Sequence, residues 1–398
     1  MSGWRWPEYR AIYGYAWDLA MDGVDTVLGD LQAFGANTLT LAASYHAGRF
    51  LRPHGTGPRV HELVDGTVYF RADPEGYGTI KPIVHPMVDT LDPFAELGGK
   101  PDTPLVAWTV CLHNTALGER HPEFVSRNAF GDPYSHSLDP AFPEVRDYVR
   151  QLVCDIAGTG VTGILLETPG YLPYTHGRHH EFALLPLNPW VERLLALSFS
   201  EGVIAGAEAE GVPALRLRDQ AAEWLNRYFA SDLVPDAATA QEWWLADVVC
   251  DPAWAAFLKW RCALVTSLVA EVREAMPADV WLGVIPTVQR PTAASWIEGS
   301  DLEALARVCD VLEIPAYHAT PEQIDHDLSD VRRRVGPDAR LHAIMRPDVP
   351  DLRTAAQVGA AARAARSHGV EGLAFYNYGH LRRPALERTR VGFEEFGQ

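Results

Sequence analysis

The strongest candidate for a catalytic residue in this sequence is a single carboxylate at the end of an apolar run. Residues 161–166 read VTGILL, and Glu167 follows, ahead of Thr168 and a Pro-Gly pair. A short apolar run that comes after a helical pattern is typical of a buried parallel strand. In α/β barrels the residues at the carboxyl ends of the strands line the active site. The pattern therefore makes Glu167 the first candidate for a catalytic residue.

Two further carboxylates could share a reaction with Glu167. Glu313 interrupts an apolar run at 310–317, where an unpaired charge would be costly, so it has either a function or an ion-pair partner. Asp348 follows another apolar run, in a setting that also suits a plain turn. Asp18 and Asp139 are weaker candidates, because each could simply cap a helix or a turn. Glycoside hydrolysis uses two carboxyl groups beside the scissile bond, and either Glu313 or Asp348 could be the second.

The side chains near the ends of the predicted strands are of the kinds that bind sugars. Pyranose rings stack on aromatic faces, and sugar hydroxyl groups pair with amides, imidazoles and guanidinium groups. The expected stacking walls are Trp17, Tyr171, Tyr317 and Tyr376. The residues expected to hold hydroxyl groups are His113, Asn114 and Asn377, and the other candidate binding residues are Tyr45, His46, His176 and Arg346.

A histidine-rich segment at 175–181, THGRHHE, is the most tempting metal motif. Its spacing is not that of H-E-x-x-H, and no cysteine lies nearby, so a substrate contact or a polar loop is favoured over a metal. Neither a metal nor an organic cofactor is expected. A metal-dependent sugar isomerase or hydrolase stays open as an alternative, because histidines also stand near strand ends at His46, His113, His318 and His380.

The elements that must position these residues alternate between strand and helix. Strands are predicted near 12–15, 38–42, 105–111, 163–166, 280–285, 311–314, 341–344 and 372–376. Helical patterns are predicted at 23–34, 143–158, 252–275, 301–308, 321–335 and 354–368. Eight strands that alternate with helices predict an α/β fold of the (β/α)8 TIM-barrel type.

Two connections are too long for ordinary loops, and both follow strand ends. Residues 44–104 form a long loop after strand 2, with an alternating stretch at 60–70 that predicts a hairpin turning at Asp65 and Gly66. Residues 171–278 form a largely helical insertion after strand 4. Because both leave the same end of the barrel, we expect them to wall one cleft. No repeat or linker separates them, so residues 1–398 are predicted to be a single elaborated catalytic domain.

Composition narrows the class of partner. The formal net charge of −18 argues against a nucleic-acid or anionic membrane surface, and it favours neutral or cationic small molecules. The charge is compatible with either a monomer or a homodimer. The five cysteines form no C-x-x-C pair and are expected to be buried thiols, while the first residues lack the pattern of a signal peptide. A cytoplasmic location is therefore expected.

Three segments together resemble known proteins. Residues 136–148 lead through a helical pattern to 160–167, and residues 310–317 and 369–376 follow later in the chain. These segments resemble parts of bacterial glycoside-hydrolase-like TIM-barrel families. The first resembles a helix followed by a strand that ends in an acid, and the other two resemble the sixth and eighth strands. The likeness covers the barrel portion and not the insertions. It implies a carbohydrate substrate, no organic cofactor, and a catalytic or substrate-binding acid at Glu167, although many of those proteins carry Asp there.

These observations lead to one hypothesis and two alternatives. We expect a glycosidase that acts on an oligosaccharide or a glycosylated small molecule in carbohydrate metabolism. Glu167 would protonate the leaving oxygen, and Glu313, with Asp348 in reserve, would serve as nucleophile or base. The alternatives are the metal-dependent barrel and a carbohydrate-binding barrel without catalysis.

Overall fold

Eight parallel strands form a closed barrel. The computed structural model describes residues 8–100, 104–177 and 182–397. The barrel strands are β1 (Tyr9–Gly14), β2 (Thr38–Tyr45), β3 (Leu105–Val110), β4 (Gly163–Glu167), β5 (Trp281–Ile285), β6 (Val311–Pro315), β7 (Leu341–Met345) and β8 (Val370–Phe375). Strand β1 pairs with both β2 and β8, which closes the sheet on itself. The predicted (β/α)8 TIM barrel is confirmed, and each predicted strand overlaps an observed one.

Helices surround the barrel and fill the long connections. They are α1 (Ala16–Asp22), α2 (Val24–Ala33), α3 (Pro93–Leu97), α4 (Thr115–Arg120), α5 (Pro143–Ala157), α6 (Pro189–Ala196), α7 (Glu201–Ala209), α8 (Ala214–Phe229), α9 (Ala237–Cys250), α10 (Pro252–Ala275), α11 (Leu302–Val308), α12 (Pro321–Val335), α13 (Ala355–Ser367) and α14 (Arg383–Gly397). Proline begins α5, α10 and α12, where its missing N–H costs no hydrogen bond. Each of the six predicted helices is present within a residue or two of its expected bounds.

The register of the sheet places Glu167 at the carboxyl-terminal rim. Glu167 is the last residue of β4 and lies opposite Val110 of β3 and Ile285 of β5. Both of those residues also end their strands. The barrel interior below this rim is aromatic, with Tyr9 and Trp108 among its buried side chains.

The long loop after β2 differs from its prediction. Residues Val60–Glu62 pair with Arg49–Leu51 in one small antiparallel sheet, whereas Thr67–Val68 pair with the end of β2. The expected hairpin turning at Asp65 and Gly66 is therefore wrong, because the two halves of the alternating stretch find different partners. The alternation identified the strands but carried no information about which edge each would meet.

The connection between β4 and β5 is largely helical and has its own apolar core. Buried residues of α6 to α10, including Val191, Leu217 and Trp254, form this second cluster. Helix α10, with 24 residues, is long and apolar enough to cross a membrane by length and composition alone. Its residues Leu268 and Val269 instead pack in the main core of the barrel. The five cysteines are free thiols, but Cys250 is exposed, contrary to the expectation of burial for all five.

Candidate active site

A cavity of about 350 Å³ opens at the carboxyl-terminal rim of the barrel, and we call it the Glu167 cavity. Every barrel strand, or the residue that directly follows it, contributes to the lining. The lining residues are Tyr13, Tyr45, His46, Trp108, Glu167, His176, Ile285, Thr287, Val288, Arg290, Pro315, Tyr317, Ile344, Arg346 and Tyr376. This is the place where barrel enzymes carry their chemistry.

Glu167 combines access to the cavity with a desolvated setting. Burial raises the pKa of its carboxyl group to about 7, while a hydrogen bond from the indole N–H of Trp108 and the charge of Arg290 act in the opposite direction. An acid with a pKa close to neutrality can hold a proton at physiological pH and still release it to a substrate. Glu167 is therefore suited to donate a proton in the cavity.

This pKa predicts the pH dependence of any reaction in which Glu167 is the acid. The group must be protonated in the free protein, so kcat/KM is expected to fall tenfold per pH unit above about 7. The measurement is the pH profile of kcat/KM on a cleaved glycoside between pH 5 and 9. A profile that stays level or rises above pH 7 would show that the acid is another group.

Trp108 positions Glu167 and tunes its acidity. Its indole N–H donates to Oε2 of Glu167, which favours the ionised carboxylate and holds the pKa below the value that burial alone would give. Trp108→Phe is expected to move the alkaline limb of the pH profile upward, because that donor is lost. Trp281→Phe removes an indole near the opposite end of the barrel and serves as the matched control. An unmoved limb in the Trp108 variant would contradict this role.

The backbone directly after Glu167 is strained. Thr168 has φ of 51°, a left-handed conformation that a β-branched residue rarely adopts. Its carbonyl accepts a hydrogen bond from the N–H of Leu112, and the carbonyl of Glu167 accepts one from the N–H of Cys111. The segment after β3 thus holds both residues in place, and the strained residue lies directly beside the candidate acid.

Glu313 does not line the cavity with Glu167. Its side chain is fully buried in the barrel interior, where Oε1 accepts hydrogen bonds from the hydroxyl groups of Tyr9 at 3.1 Å and Tyr13 at 2.9 Å. The Nδ1 atom of His342 lies 3.7 Å from Oε2. The structure therefore places Glu313 outside the described lining of the cavity, contrary to the expected pair with Glu167. Tyr13 donates to Glu313 and also lines the cavity, whereas Tyr9 begins β1, at the other end of that strand.

Asp348 is also engaged elsewhere. Its carboxylate forms a bidentate ion pair with Arg382, at 2.8 and 2.5 Å, and a longer contact of 3.5 Å with Arg388. The hydrogen bonds from Arg382 hold its pKa below the ordinary value for aspartate. Asp348 is absent from the described lining of the cavity. The structure therefore does not bring Asp348 together with Glu167, and its ion pairs join the β7 loop to the start of the C-terminal helix.

Six of the predicted binding residues do line the Glu167 cavity. They are Tyr45, His46, His176, Tyr317, Arg346 and Tyr376. The hydroxyl group of Tyr15 lies 2.7 Å from that of Tyr376 and donates to that of Tyr45 at 3.2 Å. This network fixes two aromatic walls of the cavity. Their contact with a sugar remains a prediction.

The other five predicted binding residues lie outside the described lining. The ring of Trp17 stacks on that of Tyr15, with 4.1 Å between the ring centres. The buried ring of His113 stacks on that of His46, with 4.0 Å between the centres. The remaining three have structural roles, with Asn114 capping α4, Tyr171 buried beneath the guanidinium group of Arg261, and Asn377 accepting the N–H of Gly379. The position of a residue relative to a strand end does not by itself indicate whether its side chain faces the cavity.

Arg290, Trp108 and Tyr13 line the cavity but were not predicted. Trp108 and Tyr13 lie within predicted strands, and the two-residue alternation of inward-facing positions could have identified them. Arg290 stands five residues beyond β5, in a loop without periodicity. Thr287 and Val288 of the same loop are held by buried Glu298, whose Oε1 accepts the Thr287 hydroxyl at 2.5 Å and the Val288 N–H at 2.9 Å.

A second cavity of about 320 Å³ adjoins the first at Arg290, which lines both. Its walls come from α6 and α9 of the helical insertion and from the loop after β5, and they include Tyr174, Arg193 and Trp296. The guanidinium group of Arg193 lies 5.4 Å from the centre of the Trp296 ring. The helical insertion therefore walls a second cavity beside the Glu167 cavity.

The histidine-rich segment is only partly described. His176 lines the Glu167 cavity, whereas residues 178–181 lie outside the described residues. Within the described part of the chain, no three His, Cys, Asp or Glu side chains come together as a group that could hold a metal ion.

Comparisons with known proteins bear on the fold. The glycoside hydrolase domain of PgaB (BpsB) from Bordetella bronchiseptica matches with a TM-score of 0.62 and 14% identity, over 96% of this chain and 98% of that one. The endo-1,4-beta-mannanase from Rhizomucor miehei matches with a TM-score of 0.51 and 10% identity, over 100% of this chain and 96% of that one. No protein-family model and no curated protein matches the sequence. The chain thus has a glycoside-hydrolase-like TIM-barrel fold, as its strand motifs indicated.

Proposed function

We propose that this protein is a glycoside hydrolase in which Glu167 is the general acid. The observation that carries the proposal is a carboxyl group with a pKa of about 7 at the carboxyl-terminal rim, in a cavity walled by tyrosines. Aromatic faces and scattered polar groups suit pyranose rings. The likeness of the fold to two glycoside hydrolases supports the same conclusion.

Glu167 would act at the oxygen that leaves. Its carboxyl proton passes to the glycosidic oxygen as the bond from that oxygen to the anomeric carbon breaks. The sugar develops positive charge, which the face of Tyr376 can stabilise. Water then supplies the new hydroxyl group, and its proton restores Glu167. The aglycone leaves as an alcohol, and the sugar leaves as a hemiacetal.

The attacking group is not a second carboxylate of the described lining, where Glu167 is the one acidic residue. The proposed mechanism therefore departs from the expected pair of carboxylates. Glu313 lies below the cavity and accepts a hydrogen bond from the hydroxyl group of Tyr13. The nucleophile or base comes from the substrate, from a cavity hydroxyl or imidazole group, or from outside the described residues.

Because Glu167 is the one acidic residue in the described lining, a second candidate function is a barrel that binds carbohydrate without cleaving it. The two candidates differ in turnover. Purified protein would be incubated with a panel of oligosaccharides and aryl glycosides, and newly formed reducing ends would be measured beside calorimetric binding. Release that disappears in Glu167→Gln supports the hydrolase. Saccharide binding with no release from any bound member supports the binding protein.

A further inference from the structure

Two arginines share one aromatic ring in the wall of the Glu167 cavity. The guanidinium carbon of Arg290 lies 4.7 Å from the centre of the Tyr317 ring, and that of Arg346 lies 4.2 Å from it. Both arginines line the cavity. The ring attracts each cation, but the two positive charges oppose one another, and each lowers the cost of placing an anion beside the other. The pair therefore brings two guanidinium groups to one part of the cavity wall.

Both guanidinium groups keep N–H donors that no described residue uses. Arg346 pairs through Nε with Asp351 at 2.6 Å, and its two terminal nitrogens donate to no described residue. Arg290 donates Nη1 to the carbonyl of Gln289 at 2.6 Å, while its Nε is buried without a hydrogen-bond partner. No carboxylate in the described part of the chain forms an ion pair with Arg290.

The nearby acids offset this positive charge in part. Asp351 pairs with Nε of Arg346, whereas Asp327 and Glu298 act on Arg290 through space without forming an ion pair with it. Glu167 has a pKa of about 7, so near neutral pH it carries only part of a charge. The net charge of −18 belongs to the whole molecule, and salt screens remote surface charges beyond about 8 Å.

We propose that the saccharide taken by this cavity carries an acidic group, a carboxylate or a sulfate ester, which binds to the guanidinium groups of Arg290 and Arg346. A planar guanidinium fork matches the paired oxygens of either anion. This inference rests on the proposed function, since it names the class of sugar that the same site takes. It also replaces the expectation of a neutral or cationic ligand, which considered only the net charge.

The test measures binding and does not depend on turnover. Isothermal calorimetry would compare D-glucose with D-glucuronic acid and D-glucose 6-sulfate, and D-galactose with D-galacturonic acid and D-galactose 6-sulfate. At least one acidic sugar is expected to bind roughly 10- to 100-fold more tightly than its neutral counterpart. The carboxylate and sulfate arms identify which anion is preferred.

Variants assign that preference to the two arginines. Arg290→Gln and Arg346→Gln are each expected to remove most of the preference for the acidic sugar. Arg366→Gln, an exposed change on α13 with the same loss of charge, is the control and should keep the preference. Arg290→Lys retains the charge without the fork, and thermal melting of every variant identifies any that fails to fold.

The inference is overturned if no acidic sugar binds more tightly than its neutral counterpart, or if the preference survives both glutamine variants. Cleavage of neutral glycosides without any acidic preference would overturn it while leaving the proposed hydrolase intact. Acidic preference without turnover of any bound saccharide would instead support the inference and contradict the hydrolase.

Discussion

Glu167→Gln is expected to lower kcat for glycoside hydrolysis by about 10²- to 10⁴-fold, the usual contribution of a general acid. Glutamine keeps the size and polarity of the side chain and can still accept the hydrogen bond from Trp108. It has no proton to give to the leaving oxygen. Binding of intact saccharide should therefore change little, and the loss should appear in kcat. Steady-state kinetics on a natural-type glycoside, paired with calorimetric binding, measure both quantities.

The choice of leaving group sharpens this experiment. A nitrophenol leaves readily without a proton, whereas a sugar alcohol does not, so the variant should lose much less activity on a nitrophenyl glycoside. Glu303→Gln, at an exposed position of α11, is the matched control and should behave as the unaltered protein. Equal losses on both leaving groups would contradict the assignment of Glu167 as proton donor.

Arg52→Met is expected to lower the free energy of unfolding by about 3–5 kcal/mol at pH 8. Arg52 is 1% exposed and pairs with Asp18 at 3.1 Å and with Asp22 at 2.9 Å, both of them also buried. Removing the guanidinium group leaves two carboxylates without their cation in a desolvated space. These two ion pairs also join the loop after β2 to α1, so the loop should become more mobile in the variant. Urea unfolding followed by tryptophan fluorescence measures the loss.

The loss should depend on pH in a defined direction. Burial raises the pKa of Asp18 in the folded protein to about 6, and Arg52 acts to lower it. Without Arg52 the pKa rises further, so the part of the deficit that comes from Asp18 grows as the pH increases above about 6 and vanishes well below it. Arg49→Met, on the same loop, is the control. Its pair with Glu62 is largely exposed, and its loss should stay within about 1 kcal/mol. Equal losses in the two variants would contradict the account.

The barrel could be predicted because its strands are apolar and its helices are periodic. The runs that end at Glu167 and contain Glu313 were both identified as strands, since burial of a parallel sheet on both faces leaves few other readings. The hairpin in the long loop was misplaced, because Val60–Glu62 and Thr67–Val68 pair with different partners. Local alternation records which residues are half-buried, whereas pairing depends on the rest of the fold.

The sequence predicts where in the barrel the site lies, but it predicts only some of the residues that line the cavity. Glu167 is the last residue of its strand, so the barrel topology alone places it at the carboxyl-terminal rim. Glu313 and Trp108 lie inside strands, where a shift of one residue decides whether a side chain faces the barrel interior or the surrounding helices. Arg290 lies in a loop whose course is set by contacts such as that of Thr292 with Asp327, and no local pattern encodes them.

The most direct test of the central claim is a crystal structure of Glu167→Gln with an uncleaved saccharide. We predict that the glycosidic oxygen lies within hydrogen-bond reach of the Gln side chain, about 2.6–3.2 Å, with the ring against Tyr317 or Tyr376. A saccharide bound in the Glu167 cavity with its glycosidic oxygen remote from residue 167, or bound at another surface altogether, would contradict the claim that Glu167 protonates the leaving group.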